Sequence, residues 1–328
     1  MRNTTLLNLT RAAIALAVLV VILGAYTRLV DAGLGCPDWP GCYGFFSVPE
    51  TPEELALAQS LYPDAPVEAD KAWWEMIHRY FAAGLGAVVL AIAVGAMRNP
   101  DTAGPRKLPL ILLAMVILQG AFGAWTVTLK LWPQVVTAHL LGGFATLSLL
   151  WLLAMRLGMG KSWRVPYELK NLARLGLVLL VLQIALGGWV SSNYAALACP
   201  DFPTCGGQWV PEMDFVQGFN LAQTVGPNYL GGLLESDARV AIQFTHRVGA
   251  VLVFLVIGLL VVRLVLAGSE LGVPLGLLLA VQILLGILNV ILILPLGNAT
   301  AHNAVGALLL LAMVTVNYRV LFWRDRLD

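Results

Sequence analysis

Eight long apolar stretches alternate with polar segments along this chain, at roughly 10–30, 73–97, 108–129, 134–156, 170–193, 238–267, 272–294 and 299–323, each long enough to cross a bilayer as a helix. Four fall in each half. The polar punctuation between them repeats: adding 163 to Cys36, Cys42, Gln119 and His139 lands on Cys199, Cys205, Gln282 and His302, while His78 needs 168 to reach His246, so one loop has gained five residues. The chain thus reads as two copies of one four-helix module, residues 1–160 and 161–328. Each module has an even number of spans, so both enter the membrane in the same sense. The expected architecture is an all-α integral membrane protein whose eight transmembrane helices form two parallel-repeat four-helix bundles. The first stretch, preceded by Arg2 and Arg11, resembles a secretion signal, but its repeat counterpart around Leu175 to Val190 is internal, which argues for a retained helix.

Composition agrees: 59% apolar residues, 12% charged residues and a mean hydropathy of +0.81 cannot be wrapped into a water-facing surface. Orientation follows from the cations. With the N-terminus inside, the cytoplasmic segments collect Arg2, Arg11, Arg98, Arg106, Lys107, Arg156, Lys161, Arg164, Lys170, Arg174, Arg263, Arg319, Arg324 and Arg326, fourteen of twenty, which places both termini in the cytoplasm. The two long loops then lie outside; residues 31–72 hold eight acids and only Lys71, and residues 194–237 hold five acids and no cation. The partner implied is a lipid membrane. A net charge of +1, no basic tail and no phosphate-cradling glycine motif give no sign of nucleic acid.

All four cysteines therefore face the oxidising side. Cys36-Pro-Asp-Trp-Pro-Gly-Cys42 and Cys199-Pro-Asp-Phe-Pro-Thr-Cys205 each close a short loop, a geometry that suits a local disulfide, Cys36 with Cys42 and Cys199 with Cys205. Such a pair is either a structural staple or a redox couple exchanging with an external thiol. A zinc or copper site is the weaker reading, because no nearby loop histidine completes a tetrahedral set.

The histidines carry more. Ionisable groups inside a membrane are costly and default to function. His78 and His139 ride on the second and fourth helices of their module, which run in the same direction, and each lies about six residues, or about 9 Å, into its stretch. Two level imidazoles across the diagonal of a bundle suit a flat macrocycle bound from both faces, one haem per module, with His246 and His302 as the second pair. Zinc or copper at the histidine pairs and hydrogen-bonded core histidines are the alternatives. Gly84, Gly86, Gly142, Gly143, Gly249 and Gly306 follow the histidines at one or two turns and offer either space for a porphyrin or close helix contacts. Gln119 and Gln282, on the third helix of each module, are expected to hydrogen-bond between helices.

The repeat breaks one turn before the first ligand: Glu75-Met76-Ile77-His78-Arg79 is answered by Gln243-Phe244-Thr245-His246-Arg247. At a spacing of three, Glu75 shares a helix face with His78. Gln243 has the same shape without a transferable proton, so the difference points to a reactive site in the first module and a passive haem in the second. Otherwise Glu75 simply pairs with Arg79. Arg79 and Arg247 are candidates for haem propionates or for snorkelling to water.

These residues resemble the haem A synthase family. The resemblance rests on the eight spans, the Glu-x-x-His-Arg segment at Glu75 to Arg79, the Thr-Ala-His segments Thr137 to His139 and Thr300 to His302, and a Cys-x5-Cys loop in each half, and it covers nearly the whole chain. It matches the bacterial form with both cysteine pairs; other members lack one or both. It implies a multi-pass protein of the bacterial cytoplasmic membrane that oxidises the C8 methyl of haem O to the formyl group of haem A. It implies further that His78 and His139 flank the substrate haem, that Glu75 is the catalytic carboxylate, and that His246 and His302 ligate one haem b as cofactor. The partners implied are haem O synthase, a terminal oxidase assembly pathway and an electron-transfer partner. The strongest competitor is a dihaem b-type cytochrome passing electrons from a quinol to an external acceptor, which accounts for the histidines but not for the lost carboxylate. A membrane thiol oxidoreductase and a haem transporter are further alternatives.

Overall fold

The computed structural model describes residues 3–98, 107–159 and 163–322; Arg2, Arg106, Lys161, Arg324 and Arg326, used above for orientation, lie outside them. The described residues are helical, with no strand among them: α1 (Asn3–Leu29), α2 (Pro52–Leu61), α3 (Ala69–Met97), α4 (Lys107–Thr128), α5 (Pro133–Arg156), α6 (Lys170–Ser192), α7 (Phe215–Gly218), α8 (Ser236–Leu266), α9 (Gly272–Ile291) and α10 (Leu296–Phe322). Eight of them, all but α2 and α7, are long and apolar enough to span a membrane. This is a multi-pass membrane protein.

Hydropathy alone misplaces some ends. Helix α3 begins at Ala69, four residues before the apolar run, because Asp70 in its first turn suits the positive end of the helix dipole. Helix α2 lies within the first long loop and starts on a capping box: Thr51 accepts from the Glu54 amide, Glu54 answers at the Thr51 amide, and Pro52 occupies the first turn.

The chain divides into two compact units. One runs to Leu153 and takes in Leu221–Leu233; the other comprises Ala154–Asn220 and the chain from Leu234. In the first, α3 packs on α1 and on α4. In the second, α6 packs on α8, α8 on α9, α9 on α10 and α10 back on α6, so α8 and α10 face each other across a closed ring of four. Lipid is as apolar as leucine, so close packing and polar pairs hold such helices together. Gly176 on α6 lets Met313 approach so closely that a methyl group there would stand 2.9 Å from its Cε, and Asn317 on α10 donates to the Ala173 carbonyl at 3.0 Å.

The duplication is visible in the turns. Left-handed backbone occurs at Asp31 and Tyr194, at Lys130 and Ile293, and at Leu131 and Leu294, each pair 163 residues apart. The cysteine loops also match. Cys36 is bonded to Cys42 and Cys199 to Cys205, with Cα atoms 4.8 and 4.6 Å apart. A carboxylate closes each loop a second time: Asp38 accepts from the Tyr43 and Gly44 amides at 2.6 and 2.9 Å, and Asp201 from those of Gly206 and Gly207 at 2.5 and 2.9 Å. The Thr204 hydroxyl, with those amides, pulls the Asp201 carboxyl down to about 2. This clamp is complete above the ordinary carboxylate range and is lost only as the pH falls through about 2.

Each loop is seated on its own unit. Cys36, Cys42, Tyr43 and Val48 bury against Ala58 of α2 and against Ala72 and Met76 of α3; Cys199 and Cys205 bury against Val240 of α8. The segment Leu221–Leu233 is fastened to the α4–α5 turn: Trp132 Nε1 donates to the Gln223 carbonyl at 3.2 Å, Gln134 Nε2 to that of Leu221 at 3.1 Å, and the Tyr229 amide to that of Lys130 at 3.0 Å.

Mass spectrometry of unreduced peptides is expected to show Cys36 linked to Cys42 and Cys199 to Cys205, never across loops. Replacing Cys199 and Cys205 by serine removes a constraint worth about 2 kcal/mol on the unfolded chain for a loop this short. A fall in thermal midpoint is expected, while the activity of the protein that stays folded is unchanged.

Candidate functional site

The four histidines sort two to a unit. His78 on α3 and His139 on α5 are near enough to interact electrostatically, as are His246 on α8 and His302 on α10. Each imidazole rests on a glycine of the preceding long helix. A methyl group on Gly24 would stand 2.9 Å from His78 Cε1, and one on Gly123 3.6 Å from that of His139. In the second unit the distances are 3.3 Å from Gly187 to His246 and 3.1 Å from Gly286 to His302. Gly24 and Gly187, like Gly123 and Gly286, are 163 residues apart. These four stand on helices that neighbour the histidines, not on the helices that carry them, and their exact spacing across the repeat is the sequence signal that marks them.

Five of the six glycines that follow the histidines lie against side chains of neighbouring helices. A methyl group on Gly84 would meet Leu16 at 3.9 Å and one on Gly86 would meet Val116 at 3.5 Å, ordinary contact distances, while Gly142, Gly249 and Gly306 lie under the amides of Gln119, Gln183 and Gln282. Gly143 has nothing within 4 Å of an added methyl group. Gln282 Nε2 reaches His302 Nε2 at 3.3 Å, the interhelical bond expected of it, whereas Gln119 Nε2 is buried without a partner.

The Nδ1 atoms of His78, His139 and His302 are buried and have no hydrogen-bond partner. A buried imidazole nitrogen without a partner is costly unless a ligand meets it. Among the described residues no three His, Cys, Asp or Glu side chains gather closely enough to hold a bare ion. Two imidazoles per unit without a third donor fit a metal that brings its remaining ligands with it, as a macrocycle does.

Glu75 is buried beneath the first cysteine loop. Its Oε2 accepts from the Cys36 amide at 2.9 Å, and its Oε1 pairs with Arg79. Arg79 in turn donates to the carbonyls of Asp38 at 3.1 Å, of Pro40 at 3.3 Å, and of Gly41. Its guanidinium thus ties carboxylate to loop, because the proline-containing loop turns carbonyls inward that need donors. Gly35 allows this approach: a methyl group there would lie 2.6 Å from the Lys71 carbonyl carbon and 2.7 Å from the Ala72 nitrogen.

In the second unit Arg247 likewise donates to the loop, to the carbonyls of Thr204 at 2.7 Å and Cys199 at 2.8 Å. There Gln243 is buried with its Oε1 unpartnered, and Ala198 stands at the position that matches Gly35. The arginine grip on the loop is common to both units, while the carboxylate clasp belongs to the first.

Comparison with known proteins bears on this site. Residues 8–314 match the COX15-CtaA family, described as cytochrome oxidase assembly protein. A haem A synthase of Shewanella oneidensis is 48% identical over 315 residues, 94% of this chain and 95% of that protein. Haem A synthases of Methylobacterium radiotolerans and Rhizorhabdus wittichii are 31% and 29% identical, covering 93% and 95% of this chain and 87% and 93% of theirs.

Gly35→Ala is expected to lift the loop from α3 and part Cys36 from Glu75. Overpacking of this kind costs about 1–3 kcal/mol, so the thermal midpoint should fall, and Glu75 should react faster with a carbodiimide. Unchanged labelling at Glu75 would show that the clasp does not depend on Gly35.

Proposed function

Because this chain belongs to the COX15-CtaA family of cytochrome oxidase assembly proteins, we propose that it is a haem A synthase, which oxidises the C8 methyl of haem O to the formyl group of haem A. The observation that carries this reading is the clasped carboxylate at Glu75, one turn from His78, with only an amide at Gln243 in the matching place. A carrier that merely relays electrons through two haems leaves that difference without a purpose.

On this reading His78 and His139 flank the substrate haem in the first unit, and His246 and His302 hold one haem b in the second. The unpartnered ring nitrogens and the glycines against every ring support the assignment. Haem b supplies one-electron transfer to or from the site. Converting a methyl to an aldehyde takes two two-electron oxidations through a hydroxymethyl stage; the second, from alcohol to aldehyde, releases two protons with the two electrons that pass to the electron-transfer partner. Glu75 lies on the face of α3 that carries His78 and can take up such a proton at a carboxylate oxygen. Arg79 and the Cys36 amide hold that carboxylate in one orientation, and the loop above it excludes water from one side. Gln243, with the same shape, binds without exchanging protons.

Positive-inside asymmetry supports a bacterial cytoplasmic membrane location with both termini inside and the cysteine loops outside. The substrate haem O implies supply by a haem O synthase, delivery of haem A to terminal oxidase assembly, and an electron-transfer partner.

Glu75→Gln is expected to keep the bound haem and to lower haem A formation at least about a hundredfold, the lower end of the range for loss of a general acid–base group; extraction and chromatography of haems from cells making the variant measure both. Wild-type haem A would remove the catalytic role of Glu75. His246→Ala and His302→Ala are each expected to lose the haem b absorption of the purified protein, whereas His78→Ala and His139→Ala lose haem O and haem A from the extract and retain haem b. Loss of the same haem from all four variants would overturn the division between units.

A further inference from the structure

The exposed faces of the two cysteine loops are aromatic and uncharged. In the first loop Phe46 is 87% exposed and Trp39 45%; 163 residues further on, Trp209 is 72% exposed and Phe202 45%. The only charged side chain of residues 36–49 is Asp38, and that of residues 199–210 is Asp201, and each is turned onto amides of its own loop. Charge returns just beyond, with Glu50, Glu53 and Asp64 exposed after the first loop and Glu212 and Asp214 after the second. The first loop lies along α3 and not above it. Gly35 rests on the backbone of Lys71 and Ala72, Arg79 reaches the carbonyls of Asp38, Pro40 and Gly41, and the Tyr80 hydroxyl donates to the Phe46 carbonyl at 2.6 Å. Tyr80 stands seven residues past Trp73, where the apolar stretch of α3 begins, or about 10 Å into it. A helical side chain leans back toward the start of its helix, so the carbonyl that Tyr80 meets is level with the margin of the hydrocarbon. Tyr80 and Phe81 are themselves exposed on this span, and Phe46 continues their surface. In the second unit Arg247 grips the carbonyls of Cys199 and Thr204 beside the exposed Val248.

We propose that the cysteine loops are seated in the bilayer, each laying its aromatic pair, Trp39 with Phe46 or Phe202 with Trp209, among the phospholipid headgroups and first acyl carbons at that end of the spans. Aromatic rings are favoured at this boundary, whereas a ring left in water gains nothing from its apolar area. The order of the residues argues for lipid over a protein partner. Tryptophan precedes phenylalanine in the first loop and follows it in the second, so what the repeat keeps is an aromatic ring at each place and not one shape. A protein pocket selects shape, while a lipid interface asks only for the ring. Lipid then covers the first loop from outside while Arg79 holds it from inside. Acyl chains thus stand between water and the Glu75 and Arg79 pair on that side.

The test places the photoreactive residue p-benzoylphenylalanine at Phe46, Trp209 or Glu53 of the full-length protein, which is reconstituted in phosphatidylethanolamine and phosphatidylglycerol vesicles and irradiated. All three positions are exposed, so the label does not disturb packing. Phe254, exposed on the span α8, is the positive control. Mass spectrometry should find phospholipid adducts at Phe46 and Trp209 and none at Glu53, on the charged side of the first loop. Absence of the adduct at Phe46 or Trp209, with Phe254 labelled, overturns the proposal for that loop. A cross-linked dimer in place of the lipid adduct overturns it as well, since a second copy then covers the face, and so does equal phospholipid labelling at Glu53. A second measurement reads the loop through the carboxylate beneath it. In vesicles Phe46→Asp should raise carbodiimide labelling of Glu75, because a charge at that depth lifts the loop, whereas Phe46→Trp should leave it at the wild-type level. Equal labelling in the wild type and both variants removes Phe46 as an anchor.

Discussion

A carboxylate on an apolar helix must be provided with partners, and the outer end of the first unit is built around that demand. Glu75 receives a backbone amide from Cys36 and a guanidinium from Arg79, and the same guanidinium satisfies loop carbonyls from Asp38 to Gly41. Stripping one partner from a buried ion pair costs about 3–5 kcal/mol, more than the staple of a short disulfide contributes. Loop, helix and carboxylate therefore form one object. The disulfide holds the loop's ends, Asp38 holds its tip, and Gly35 lets its first residues lie against the α3 backbone. On the proposed function, this object keeps a proton acceptor beside a substrate and away from bulk water.

Comparison of the two units separates what packing requires from what chemistry requires. The glycine beneath each imidazole, the arginine after the histidine on α3 or α8, the bonded cysteines and the left-handed turn residues occur in both. Four differences in two pairs stand against this: Glu75 and Gly35 are answered by Gln243 and Ala198, and Val20 and Phe81 by Gln183 and Gly249. Each pairs a polar substitution with the change of bulk that accommodates it, as expected when interiors are close-packed and a new side chain needs room.

Much of this was legible before any coordinates. Lipid imposes a simple pattern, so eight spans could be located from apolar length, and exact spacing made the matched cysteines and histidines stand out. The Glu75 and Gln243 contrast was readable for the same reason. What escaped were contacts between helices, which no single-helix periodicity encodes. The glycines facing the rings lie on neighbouring helices, Gln183 matches no polar residue in the first half, and the carbonyls that engage Arg79 and Arg247 come from backbone some forty residues distant. The capping box of α2 was written in Thr51 to Glu54 but passed over among the loop acids. The grouping of Leu221–Leu233 with the first unit rests on backbone carbonyls, which carry no residue signature.

The duplicated scaffold also limits how the two sites can differ. On the proposed function, selectivity between a haem that is transformed and one that is kept must come from the few atoms the two units do not share. On that function, the distinctive group of the first unit is a carboxylate one helical turn from His78, able to exchange a proton, where the second unit has the amide of Gln243. A carboxylate near a bound group can exchange protons with it, whereas an amide of the same shape binds without doing so. On the proposed function, exchanging one for the other leaves the shared scaffold intact and is enough to turn two copies of one module into a site that reacts and a site that stays.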